Sequence, residues 1–245
     1  YLSEICDVVL RLLATSVVHS VLLENGYSDD LLINAPTLAH LMEQCQSRKV
    51  LSLDGLKFDE DQIRVLGTYS RPGLEIALTH CKITSPGASA LAEVLARNQG
   101  PTQLWCYDVD NIVLANGLRG NSRLKSLRPR LSNSPEVGNQ QVLAIAGALK
   151  ENKSLVDLYL SSYWVNNETW DAICDSLKTH PTLEVLDLRV YFMNTTTAPA
   201  VITSRMQALA NMMKVNTSIR TIRLEPQYSE HELYRESIGP YVETN

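Results

Sequence analysis

"ALKENKSLVDLYL", residues 148–160, returns as "SLKTHPTLEVLDL" at 176–188 and as "MMKVNTSIRTIRL" at 212–224. Alignment on its Leu-x-x-Leu-x-Leu ending finds weaker copies: "GLRGNSRLKSLRP" (117–129), "VLARNQGPTQLWC" (94–106) and "LMEQCQSRKVLSL" (41–53). A truncated copy ends in "LEIAL" (74–78), which sets a notional start at 66. The seven copies recur at about 28 residues on average, with insertions and deletions between them.

The rest of the repeat unit is clearest after residue 74. In "LEIALTHCKI", Ile76, Leu78, Cys81 and Ile83 follow L-x-L-x-x-(N/C)-x-I, and the alternation in "IAL" predicts a short strand. "TSPGASALAEVLARN" follows, with Gly87 ahead of Leu91, Val94 and Leu95 at the spacing of an amphipathic helix. Neither element buries its apolar side alone. Stacked copies do, strand beside strand and helix against helix. An α/β solenoid is expected, and these residues resemble the leucine-rich repeats of the ribonuclease-inhibitor class, shared with the sensor regions of NOD-like receptors.

That resemblance implies a horseshoe or arc of about seven repeats near 28 residues each, with a parallel concave sheet and convex helices. The whole chain, 1–245, then forms a single repeat domain. Residues 1–40 supply an N-terminal helical cap and a degenerate first repeat, 41–224 the repeats, and 225–245 a C-terminal cap or tail. The helical stripe of Leu2, Ile5, Val8, Val9 and Leu12 suits the first cap. "VHSVLL" (18–23) reads as an early strand and "APTLAHLMEQC" (35–45) as its helix. The N/C position is Cys81 in one copy but Leu56, Val109, Tyr163 and Tyr191 in others. Pro129 stands where a strand Leu belongs and cannot donate to a ladder. The least regular part of the sheet is therefore expected at 104–131.

Composition fits a globular protein: 44% hydrophobic and 20% charged residues, with net charge −5. That charge gives no general case for nucleic acid or an anionic membrane as partner. The longest apolar stretch, 8–23, is broken by Arg11 and His19 and makes a poor membrane span. Cys6, Cys45, Cys81, Cys106 and Cys174 are widely spaced, odd in number and without a C-x-x-C pair. Free thiols, and with them a cytoplasmic setting, are the expectation. Four N-x-S/T sequons begin at Asn152, Asn167, Asn194 and Asn216. Two of them share one place in the repeat, which repeat grammar explains better than glycosylation. The start at Tyr1 is read as that of an excised fragment.

Catalytic signatures are lacking: there is no phosphate loop, dinucleotide fingerprint or H-E-x-x-H pair. "NGLRGN" (116–121) reads as a helix end turning into the next strand. His80 and Cys81 are adjacent on a strand and point to opposite sides, so Cys81 takes a structural place. The acidic clusters "FDEDQ" (58–62), "SDD" (28–30) and "DVD" (108–110) sit at turns or helix starts, and Asp59 to Asp61 are expected to cap the helix they precede. No enzyme activity, metal or cofactor is expected.

The repeat offers a sheet face instead. Residues between the buried leucines should line the hollow, among them Trp105, Tyr107, Asp108, Arg128, Arg130, Tyr159, Asp187, Arg189 and Arg223. Aromatic and Arg side chains are those enriched at interface hot spots. The expected function is a non-catalytic scaffold binding another protein through its concave face, with Trp105 foremost. Alternatives are a GTPase regulator of the Ran GTPase-activating type, or the sensor or substrate-adaptor region of a larger protein.

Overall fold

The computed structural model describes residues 20–24, 33–44, 50–107, 109–160, 165–189 and 199–224, with 232, 235, 238 and 239. The proposed caps at 1–16 and, apart from those four residues, 225–245 lie outside them, as do Tyr163 and Tyr191. Among the described residues, strand and helix alternate almost without exception. The strands are β1 (Ser20–Glu24), β2 (Val50–Asp54), β3 (Lys57–Phe58), β4 (Glu75–Ile83), β5 (Gln103–Tyr107), β6 (Ser126–Pro129), β7 (Asp157–Tyr159), β8 (Val185–Asp187) and β9 (Thr221–Arg223). The helices are α1 (Ala35–Gln44), α2 (Glu60–Tyr69), α3 (Ser85–Ala96), α4 (Asn111–Leu118), α5 (Pro135–Leu149), α6 (Asn167–Leu177) and α7 (Pro199–Met213).

All strand pairings are parallel and follow chain order, β1-β2-β4-β5-β6-β7-β8-β9, with short β3 beside β4. Each helix packs on the helices before and after it. The result is one open parallel sheet with its helices stacked in sequence, an architecture compatible with a repeat solenoid.

Alternation decides which face is buried. Leu51, Leu53, Ile76, Leu78, Leu104, Cys106, Leu127, Leu158, Leu186 and Ile222 are all buried, together with the helix residues Leu91, Val94 and Leu95. Most of the intervening strand residues look out from the opposite, open face. Helix starts are set locally. Asp59 caps α2, its carboxylate accepting the Glu60 N–H at 2.8 Å while Gln62 reaches back to the Asp59 N–H at 2.9 Å. Asp110 caps α4 through the Ile112 and Val113 N–H groups. Asp59 thus caps where a cap was expected, while the cluster at 28–30 lies outside the described residues. In "NGLRGN", Gly117 lets α4 approach α3, since a Cβ there would stand 2.5 Å from the Ala92 carbonyl oxygen.

The irregularity expected at 104–131 lies elsewhere. β5 and β6 pair in unbroken register from Gln103↔Ser126 to Cys106↔Pro129. Ser126 and Arg130 donate their N–H groups to Thr102 and Cys106 on the β5 side. By alternation, the N–H that Pro129 lacks would point toward β7. There the ladder runs only from Ser126↔Asp157 to Leu127↔Leu158. The register shift falls in β4, between Leu78 and Cys81.

Three of the turns from helix to strand carry a buried amide. Asn152 donates to the carbonyls of Leu118 (2.7 Å) and Asn121 (2.9 Å), while its Oδ1 accepts from the Ser154 and Leu155 N–H groups at 3.0 Å. Asn216 does the same with Leu177, His180, Ser218 and Ile219. Asn121 donates to Leu95 and accepts from Arg123 and Leu124. Each amide therefore closes its own turn and fastens it to the unit before. It also uses the nitrogen that glycosylation of Asn152 or Asn216 would need.

His180 occupies the same place in its copy. Its Nδ1 accepts from the Leu183 N–H at 3.2 Å, but its buried Nε2 has no partner. Burial, reinforced by the Lys153 charge, pulls its pKa from 6.5 down to about 4.

Asn152→Ala should destabilise the fold by about 1–3 kcal/mol, since carbonyls and N–H groups lose their buried partner. Urea unfolding measures this, and an unchanged midpoint would refute the role given to the amide. His180→Asn should act the other way. The unfolded chain takes up a proton near pH 6.5 and the folded chain only near 4, so stability falls as pH drops through that window. Melting curves across it should be flatter and higher in the Asn variant.

Candidate functional site on the open face

Where β4 shifts register, Ala77↔Gln103 and Leu78↔Leu104 give way to Cys81↔Cys106. Thr79 and His80 together stand opposite the single residue Trp105, which is a β-bulge. His80 takes φ of 50°, the left-handed region that a side chain adopts at a cost of about 1–3 kcal/mol. Cys81 turns inward, its thiol donating to the Leu53 and Thr79 carbonyls at 3.2 Å each, and burial pushes its pKa up to about 12. Burial also raises the thiols of Cys106 and Cys174. The thiol and imidazole thus face opposite sides, as the strand reading expected, and the bulge aims the imidazole along the open face.

A row of side chains runs across the sheet from there. His80 Nδ1 lies 3.0 Å from Asp54 Oδ1 on β2. The His80 ring leans on Trp105 of β5, centroids 3.8 Å apart and planes tilted by 53°. On the other side of Trp105, the Arg128 guanidinium of β6 sits 3.9 Å from the ring centroid. The same guanidinium is 5.7 Å from the Tyr159 ring on β7. Adjacent strands lie roughly 4.8 Å apart, so side chains level with one another stack in sequence. Trp105, Arg128 and Tyr159 are half-buried, each covered on its flanks by its neighbours.

Tyr159 is level with Asp187 of β8, which is level with Arg223 of β9. Asp187 departs from its expected place in the hollow, since only 2% of it is exposed. Arg189 folds over it and donates to both carboxylate oxygens at 2.6–3.1 Å. Asp187 and Arg189 therefore stabilise the face by neutralising one another. Arg130 is exposed just past β6, with its backbone N–H on Cys106 and its carbonyl accepting from Asn111. Tyr107 ends β5 level with Lys82, and Asp108 lies outside the described residues.

Of the nine expected contact residues, the structure thus brings Trp105, Arg128 and Tyr159 together and pairs Asp187 with Arg189. His80 was not among them. Its signal was the step of three, not two, between Leu78 and Cys81. Among the described residues no group of His, Cys, Asp and Glu could hold a metal ion, and no helix is long and apolar enough to cross a membrane.

No family model matches the chain, and no curated protein matches it. Among solved structures it is similar to leiomodin-1 actin-binding site 2, at 17% identity and a TM-score of 0.47. The match covers 61% of this chain and 84% of that one.

Proposed function

We propose that this chain is a non-catalytic scaffold of about seven leucine-rich repeats of the ribonuclease-inhibitor class, binding a partner protein through the open face of its sheet. The observation that carries this is the row Asp54–His80–Trp105–Arg128–Tyr159. Five strands contribute one side chain each, and contacts fix each to the next. A surface already ordered loses little further freedom on docking. Half-buried Trp, Tyr and Arg at its centre are the residue types that dominate interface energies. A bulge and a left-handed His80 maintain the row at a cost to the fold. The repeat class is supported by the recurring phrase and by a turn-closing Asn at 121, 152 and 216. The cytoplasm, where thiols stay reduced, suits the buried free thiols of Cys81, Cys106 and Cys174.

Photo-cross-linking tests the reading. A benzophenone amino acid at exposed Gln103, on the same face as Trp105, should capture a partner from lysate of the native cells. The same probe at exposed Val137 on α5 should not. Trp105→Ala should abolish the Gln103 cross-link without lowering the melting temperature by more than a few degrees. Equal capture from both positions, or capture indifferent to Trp105→Ala, would remove the open face from the account.

A further inference from the structure

Resting on that docking reading, we propose that the open face receives an acidic segment of a partner polypeptide, with Arg128 taking one of its Asp or Glu carboxylates. Cations on the face gather toward one side of the sheet. Toward the strand starts charges of both signs alternate, Glu75, Asp157 and Glu184 with Lys125 and Arg220; toward the strand ends lie the cations Lys82, Arg128, Arg130, Arg189 and Arg223. On that side the carboxylates Asp54 and Asp187 are engaged, by His80 and Arg189. Arg128 differs. Among the described residues it makes no hydrogen bond or ion pair, and its contacts are the ring faces of Trp105 and Tyr159.

A guanidinium lying on a ring keeps its N–H donors in its own plane, directed away from the ring. A carboxylate meets that edge with two parallel hydrogen bonds. Contact with the Trp105 ring at 3.9 Å, and with Tyr159 at 5.7 Å, restrains the guanidinium before the ligand arrives. Arg223, level with Asp187, lies three strands beyond Arg128, so an extended segment crossing the strands would meet a second cation. Single-stranded nucleic acid also uses stacked aromatics and Arg. It places a phosphate at every step, however, Asp54 and Asp157 included, whereas a peptide can set one carboxylate against Arg128 and neutral residues beside those two carboxylates.

The test is fluorescence anisotropy with three short fluorescein-labelled probes: a Glu/Gly/Ser peptide, its Gln counterpart and oligothymidylate. The Glu peptide should bind, and bind less tightly as salt rises. Arg128→Gln should weaken it at least about tenfold. Arg128→Lys keeps the charge without the flat fork and should still lose several-fold. Arg97→Gln, at the end of α3, should stay within about twofold of wild type. Circular dichroism of each variant separates lost binding from lost folding. The inference is overturned if the Gln peptide binds as well, if folded Arg128→Gln binds normally, or if oligothymidylate binds more tightly. Gln103 cross-links without a preference for the Glu peptide would leave protein docking standing and remove the acidic segment. Glu-peptide binding through Arg128 without any Gln103 cross-link would keep the carboxylate site and remove the docking reading.

Discussion

A buried amide at the helix-to-strand turn is the constraint on which the rest of this protein depends. A helix followed at once by a strand leaves carbonyls at its end and N–H groups in the turn, buried where water cannot reach them. Asn carries one donor group and one acceptor group on a short, stiff stem, and at 121, 152 and 216 it serves both sets. No apolar residue can do so, and the leucines around it would have nothing to align them. Burial of Leu155, Leu158 and Leu160 supplies the bulk of the stabilisation, while the amide specifies the register at which they stack.

Register in turn decides what the open face can be. Side chains level on successive parallel strands form rows, and a row of mixed rings and charges is self-supporting when each member contacts the next. Asp54 to Tyr159 is such a row, and the bulge at Thr79–His80 completes it. A regular β4 would have placed Thr79, level with Asp54, in the row and turned His80 away from Trp105. One inserted residue thus converts an ordinary strand face into a continuous stacked surface.

Much of this could be read from sequence, for physical reasons that also mark where reading stops. Leucine spacing reports burial directly, so the parallel strand–helix alternation followed from the repeated phrase. The Asn recurrence was equally visible at 152 and 216, yet letters alone do not say which carbonyls an amide will reach. Pro129 drew attention to the lesser irregularity: its missing N–H faces β7, where the ladder ends at Leu127↔Leu158, while the register shift lies in β4. His80 escaped because a simple parity rule, applied to a straight strand, says nothing of rings meeting across a bulge. Asp187 looked exposed by parity and is covered because Arg189, two residues on, is long enough to fold back over it.

The exception in the amide series has a consequence for how the molecule comes apart. In a stack where each unit touches only its neighbours, cooperativity passes through the links between adjacent turns. At His180 the imidazole closes its own turn but sends no bond to the unit before, leaving the Thr182 hydroxyl on the Leu155 carbonyl as the side-chain bond that joins those two turns, beside the Glu184 and Val185 N–H groups on the Val156 carbonyl. The following link, from Asn216 and Ser218 back to the His180 carbonyl, is intact. The turn at 180 is thus joined to the turn before it by fewer side-chain hydrogen bonds than are the turns at 152 and 216. Parting those two turns breaks fewer such bonds than parting any pair that an amide joins.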